Sequence, residues 1–233
     1  MKQRNLLWLA VVMYVWALAC MGIYLWTELQ SRVLLNPAGR LMLMGGFCLF
    51  SYLGSRMLCK LPKVNTTKVI KLTFLVYFLC YLILLLTFTL FDPMFGRHNR
   101  LFAFFRDSVL RSNYMEHNFN MVPFRTIAEY VAAVFNGSMN FSIIVTNLLG
   151  NLVALMPMAL FLPLLFRRCR KFPVFLLAVA ISVILIELLQ LVLVSGACDI
   201  DDLILNTAGA CTAFFILKAK PLRWLLQKLI PMN

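Results

Sequence analysis

Charge is scarce in this sequence, and acidic charge most of all. Of its 233 residues, 13% are charged and nine are Asp or Glu. Soluble domains carry about 25% charged residues, so this chain has too little polar surface to face water on all sides. Histidine is nearly absent, with two copies. No CxxC pair or His-rich spacing offers a ligand set, so no metal and no cofactor is expected. Of the seven cysteines only Cys198 falls in a stretch that reads as an external loop, and a disulfide framework needs external cysteines in pairs. No Ser-His-Asp set, HExxH or comparable signature points to catalysis.

Apolar residues fill the space that charge leaves, at 62% of the chain. That excess excludes a soluble enzyme, a disordered chain and a small secreted module, and it fits a polytopic membrane protein. A membrane-crossing helix takes about 20 residues. Apolar runs of that kind occupy residues 6–26, 41–59, 69–91, 143–166, 173–194 and 203–217. The first is longer than the 7–15-residue apolar core of a signal peptide and reads as a retained helix. The second is the weakest, interrupted by Gly45, Gly46, Gly54 and Arg56. The fourth holds Pro157 and Pro163, which kink a helix but are tolerated inside membrane bundles. The last reaches a spanning length if its helix begins near Asp199.

The expected fold is therefore all-α: a bundle of about six transmembrane helices. An external amphipathic segment over 97–130 mixes Phe102, Phe104, Phe105, Val109 and Leu110 with Arg100, Arg106 and Arg111. An interfacial helix over 221–232 carries Leu222, Trp224, Leu225, Leu226, Leu229 and Ile230 beside Arg223 and Lys228. Both patterns suit helices lying in the headgroup plane. The sequence divides into a two-helix N-terminal region (1–68), a membrane domain (69–217, with its core at 117–217) and a cytoplasmic amphipathic tail (218–233).

The net charge of +13 invites a nucleic-acid reading, but no basic–aromatic patch supports one, and no nucleic-acid partner is expected. Membrane orientation explains the excess. With the N-terminus inside and six crossings, the inner segments hold Lys2 and Arg4, then Arg56, Lys60, Lys63, Lys68 and Lys71, then Arg167, Arg168, Arg170 and Lys171, then Lys218, Lys220, Arg223 and Lys228. That is most of the 22 basic residues, as the positive-inside rule requires. Both termini are expected in the cytoplasm of a multi-pass cell-membrane protein, and the nine acids fall on the outer side or in the outer half of a helix.

Polar residues within the apolar runs need a reason. The first three runs are nearly free of buried polar groups; the last three are not. A carboxylate at the centre of a membrane helix costs about 2.5–3.5 kcal/mol, so its default reading is functional. Glu187 lies in the fifth run with Gln190 one turn on, at i+3 and on its face. Asn147 and Asn151 share a face of the fourth run, and Asp202 and Asn206 share a face of the sixth. Asp199, Asp201 and Asp202 crowd the start of that last helix, where they suit the helix dipole and one or two can act as caps. The economical packing turns these groups toward one another around an acidic pocket open to the outside. Arg125, in the preceding external loop, is the natural counter-charge if that loop folds back. The competing reading is a buried hydrogen-bond network that fixes helix register.

Four stretches carry a family resemblance. They are Asn120-Met121-Val122-Pro123-Phe124-Arg125-Thr126-Ile127; Asn147-Leu148-Leu149-Gly150-Asn151 followed by Pro157; Ser182 with Ile186-Glu187 and Gln190; and Asp199-Ile200-Asp201-Asp202 running to Asn206-Thr207-Ala208-Gly209. In that order and spacing the chain from about His117 to Leu217 resembles the VanZ-like family of bacterial membrane proteins. It departs where the family often has Gly-Arg before the acids and this chain has Ser195-Gly196, and where Ala159 and Ala213 stand in place of glycines. The resemblance implies a cell-envelope role, with the namesake's link to teicoplanin-type glycopeptide resistance, and membrane lipids or a lipid-linked cell-wall precursor as partners. Three classes of activity are open. One is a non-enzymatic factor whose pocket binds a lipid headgroup, a precursor or a cation. A second is a membrane enzyme using paired carboxylates, with His98 and His117 in the outer loop. The third is a small transporter with Glu187 as its proton or cation site.

Overall fold

The computed structural model describes residues 3–29, 36–91 and 103–230. The protein is all-α apart from one two-residue strand pair among the described residues. Among the described residues six helices are long and apolar enough to cross a membrane: Gln3–Thr27, Ala38–Leu58, Thr66–Phe91, Phe141–Leu165, Phe172–Leu193 and Ile200–Lys218. The chain is thus a multi-pass membrane protein. It divides into two compact units, Met1–Cys80 with Trp224–Asn233, and Tyr81–Arg223. The division falls inside the third helix, Thr66–Phe91.

The first unit is built on α1 (Gln3–Leu29), α2 (Pro37–Leu58) and the leading turns of α3 (Thr66–Leu86). Asn36 starts α2 by accepting the Gly39 N–H at 2.7 Å, with Pro37 in the first turn where its missing N–H costs nothing. The glycines that weakened this run in the sequence have a packing use. A Cβ on Gly54 would sit 3.0 Å from the Tyr14 ring, and one on Gly46 would sit 3.0 Å from the Cys20 sulfur, so both let α1 lie close to α2.

One expectation fails here. The first three runs are not free of buried polar groups. Tyr14 Oη lies 2.8 Å from Ser55 Oγ, which lies 2.7 Å from Thr73 Oγ1, and Ser51 Oγ lies 2.9 Å from Tyr77 Oη. Serine and threonine pass as harmless in an apolar run because each bonds a carbonyl one turn back. Ser51 does so to Phe47, Ser55 to Ser51 and Thr73 to Val69. Their second bonds, between helices, leave no mark on hydropathy.

In the second unit, α3 runs on from Tyr81 and closes in a π-helical turn, Thr87–Phe91. Short helices α4 (Ala103–Arg106) and α5 (Ser108–Asn118) lead to strand β1 (Phe119–Asn120) and then α6 (Arg125–Asn136). The described part of the 97–130 segment is therefore several short pieces. Phe102, Arg97, Arg100 and His98 lie outside the described residues. The fourth run is split into α7 (Phe141–Ala154) and α8 (Met158–Leu165), the chain turning at Leu155–Pro157 while Pro163 stays within α8. A tight 3₁₀ turn, Arg167–Arg170, leads into α9 (Phe172–Leu193). Strand β2 (Cys198–Asp199) then pairs in parallel with β1, Phe119 opposite Cys198 and Asn120 opposite Asp199. The sixth spanning helix, α10 (Ile200–Lys218), follows directly, and α11 (Lys220–Leu229) forms the expected C-terminal amphipathic helix.

Two features fix how α7, α9 and α10 meet. Phe175, Val179, Val183, Glu187 and Gln190 form one buried stripe along α9, so the two polar residues occupy positions that the pattern reserves for the interior. On α10, Gly209 backs directly onto α7: a Cβ there would fall 1.7 Å from the Leu152 carbonyl oxygen. Only glycine permits that approach, and small residues at membrane-helix interfaces serve this purpose generally.

Candidate functional site

Chain geometry delivers the acids to one place. Helix α9 ends at Val194 in the left-handed conformation (φ 53°), and the Ser195 N–H returns to the Gln190 carbonyl at 3.0 Å. This is a Schellman-type stop. It turns the chain into β2 within a few residues, so Asp199 comes back beside the turn it has just left. There the Asp199 main-chain N–H bonds Glu187 Oε2 at 3.0 Å.

Asp199 caps its own helix, with Oδ1 accepting the Asp201 N–H at 2.9 Å. The same carboxylate accepts from Asn120 Nδ2 at 3.0 Å and Thr126 Oγ1 at 2.5 Å. Asp201 is 1% exposed and caps a different helix. Its two oxygens accept the N–H groups of Phe124 (2.5 Å) and Ile127 (3.1 Å), at the start of α6. Phe124 is the N-cap residue of α6 and has no capping side chain of its own. Asp201 therefore supplies from α10 both bonds that a capping box would supply locally.

Asp202 points the other way. Its Oδ1 accepts from Asn151 Nδ2 on α7, and its carbonyl accepts from Asn206 Nδ2 at 2.8 Å. Gln190 is 3% exposed and donates Nε2 to the Thr89 carbonyl at 3.1 Å, in the π-helical turn of α3. Glu187, Gln190, Asp202, Asn206 and Asn151 then line one small cavity with Leu85, Thr89, Ala154, Val183 and Ile186. Its volume is about 20 Å³. One water-sized particle needs ~10–15 Å³ on this measure, so the cavity holds a single such particle.

Four of the sequence-predicted residues stand apart from the cavity: Asp199 and Asp201 are engaged in the caps just described, and Asn147 and Arg125 lie elsewhere. Asn147 bonds the Ile143 carbonyl on its own helix at 2.9 Å. Arg125 pairs with Glu129 at 3.0 Å, both side chains being about 60% exposed. The chain entering α6 does fold back onto the acids, through the Phe124 and Ile127 N–H groups and the Asn120 and Thr126 side chains, and not through the arginine. An i,i+4 partner on the same helix face captures the guanidinium. Sequence reasoning also assigned no role to Asn120, Thr126 and Thr89. The first two sit inside the Asn-to-Ile loop motif, which was the available signal; a carbonyl such as that of Thr89 carries none.

Next to the site, the Cys198 thiol is pushed above the ordinary cysteine range, first by burial and then by the negative charge of Glu187, Asp199 and Asp202. Among the described residues no three His, Cys, Asp or Glu side chains are placed to share a metal ion. The arrangement can do two things chemically. It holds three chain segments together through carboxylate-to-amide bonds, and it offers one small hollow whose polar wall is rich in oxygen acceptors.

A family model described as VanZ/LLP1 matches residues 78–224, well over half of the chain. The chain belongs to the VanZ/LLP1 family. The match coincides with the second compact unit, Tyr81–Arg223, so the VanZ-like signature and the acid cluster reside in the same body. The helices α1 and α2 lie outside it. No curated protein and no solved structure matches the chain.

Proposed function

We propose that this VanZ-like protein acts in the bacterial cell envelope as a non-enzymatic membrane factor that lowers the access of teicoplanin-type glycopeptides to lipid-linked cell-wall precursors. One observation carries the reading: the VanZ/LLP1 match spans the unit that holds Glu187, Gln190, Asp202, Asn151 and Asn206 around one cavity. The basic flanks support the orientation. Arg167, Arg168, Arg170 and Lys171 lie before α9, and Lys218 closes α10, each at the helix end opposite the acids. By the positive-inside rule those ends face the cytoplasm and the acid cluster faces out. The exposed apolar residues Phe124, Val131, Val134 and Phe135 on and beside α6 suit a helix resting on acyl chains where a lipid would arrive. Cavity size limits what can enter to one small group, such as the ammonium or hydroxyl end of a headgroup.

The test is glycopeptide susceptibility of a deletion strain, restored with wild-type, Glu187→Gln and Asp202→Asn chains whose accumulation is checked in the same membranes. Deletion should raise sensitivity to teicoplanin, the wild-type chain should reverse it, and the two variants should not. Unchanged sensitivity in the deletion strain removes the reading. Turnover of a lipid by the purified protein in proteoliposomes would replace it with the enzymatic one.

A further inference from the structure

The strongest unexplained atom in the molecule is Gln190 Oε1. The residue is 3% exposed, its Nε2 is committed to Thr89, and Oε1 is buried without a hydrogen-bond partner among the described residues. Burying a bare amide oxygen is costly, and such orphans in native proteins point to an occupant that is not protein. Gln190 lines the cavity of about 20 Å³ together with Glu187 and Asp202. The occupant must be electrophilic, because the polar wall consists of carboxylate and amide groups. Asn151 and Asn206 reinforce this. Each turns its amide nitrogen toward Asp202, donating one N–H to the carboxylate and the carbonyl respectively, and each also carries an amide oxygen that can accept.

We infer that this cavity is a binding site for one dehydrated hard cation of sodium or calcium size, held by oxygens of Glu187, Gln190 and Asp202 with Asn151 and Asn206 beside them. The donor set is all oxygen, which suits a hard cation and not a soft transition metal. The volume admits one particle. Magnesium is therefore excluded, since it dehydrates reluctantly and carries its waters with it. A bound cation also explains why two carboxylates can face a common hollow, because each stabilises the ion that offsets the other's charge. This inference goes beyond the envelope reading and does not rest on it. An amine or hydroxyl entering the cavity would compete with the ion, but the ion site stands whether or not any lipid binds.

The experiment is thermal unfolding of the purified full chain in detergent, at fixed ionic strength, with the chloride of sodium, calcium, potassium, magnesium or N-methylglucamine. Sodium or calcium should raise the midpoint on the order of 5 °C at a hundredfold excess over Kd, with potassium and magnesium giving less than half of that. The rise should vanish in Gln190→Leu, which removes the orphan oxygen and leaves both acids. Equal response to every salt, or a rise that survives in Gln190→Leu, overturns the site and leaves the cavity to a water molecule. If the variant does not accumulate, a chain that keeps Glu187, Gln190, Asp202 and Cys198 and has the other six cysteines replaced decides. A cation neutralising Glu187 and Asp202 makes the thiolate easier to form, so maleimide should react faster in sodium or calcium than in N-methylglucamine. An unchanged or slower rate overturns the proposal. Loss of the salt effect leaves glycopeptide susceptibility untouched as a question, so failure of the ion site and failure of the envelope role are read separately.

Discussion

In the first unit a line of hydroxyls passes from Tyr14 through Ser55 to Thr73, with Ser51 and Tyr77 alongside; every member is neutral, and each serine or threonine also has a carbonyl within its own helix. In the second unit carboxylates join the buried neutral groups Gln190, Ser195 and Asn206, and none of Glu187, Asp199 and Asp201 is satisfied within its own helical turn alone. They bond to main-chain N–H groups at chain reversals and helix starts, tying α9 to β2 and α10 to α6. The difference shows what each device is for. A hydroxyl chain adds modest registry between helices that would pack anyway. Carboxylates at helix N-termini hold irregular backbone, and irregular backbone at membrane depth is tolerated only where its polar groups are met by protein. Where the membrane protein abandons regular helix, it brings in charge.

That contrast is broken most severely at Asp201. Asp201→Ala strands the Phe124 and Ile127 N–H groups against a 1%-exposed site. Bonds to a charged acceptor contribute about 1.5–3 kcal/mol each, so the unfolding free energy in detergent should drop by about 3 kcal/mol or more. Asp201→Asn keeps one acceptor oxygen and should recover part of the loss. If Asp201→Ala unfolds like wild type, the trans-cap is not holding α6. Next in size is Gly209→Ala. The new methyl would overlap the Leu152 carbonyl, forcing α10 off α7 at an expected cost of about 1–3 kcal/mol. Gly150→Ala, on α7 with nothing within 4 Å, is its control. It should be neutral or slightly stabilising, because alanine favours a helix over glycine by about 1 kcal/mol.

Much of this was legible beforehand, and the misses share a cause. Long apolar runs announce spanning helices because lipid allows few alternatives. Glu187 with Gln190, and Asp202 with Asn206, could be paired on faces because helix periodicity is rigid; the structure gathers these four with Asn151 around one cavity. What stayed hidden depended on main chain. The loop around Pro123-Phe124-Arg125 was expected to reach the acids through its visible charge, whereas the Phe124 and Ile127 N–H groups and the neutral Asn120 and Thr126 side chains do the reaching. The hydroxyl chain of the first unit was invisible because serine and threonine are satisfied locally whether or not they also bond across helices. The close contact at Gly209 likewise depends on a neighbouring carbonyl that no motif records.

The hydroxyl chain gives the smaller effect that the comparison requires. Ser55→Ala removes the residue at which Tyr14, Thr73 and the Ser51 carbonyl converge. Interhelical polar contacts in membranes average about 0.6 kcal/mol with a maximum near 1.7, so the loss should stay below about 2 kcal/mol. Measured beside Asp201→Ala in the same detergent, it should be clearly the milder change. A Ser55→Ala cost equal to that of Asp201→Ala would erase the distinction between registry by hydroxyls and anchoring by charge.

The finest test compares backbone strain in the two units. Among the described residues the first unit has one non-glycine residue in the left-handed region, Lys63 (φ 70°) in the turn between α2 and α3, and the second has two, Phe124 (φ 65°) before α6 and Val194 (φ 53°) at the end of α9. The left-handed conformation costs an L-residue about 1–2 kcal/mol, and a β-branched side chain tolerates it worst. Glycine removes that cost but loses about 0.5–1 kcal/mol of chain entropy on folding. Lys63→Gly should therefore change stability by less than about 0.5 kcal/mol. Val194→Gly should stabilise by about 0.5–1 kcal/mol, because more strain is released for the same entropy. Val194 is where α9 stops so that Asp199 can return to Glu187, and this cost is one the helix could avoid by ending in glycine. If Val194→Gly instead destabilises, the valine side chain is holding the reversal in place, and the acid cluster depends on packing at that turn as well as on its hydrogen bonds.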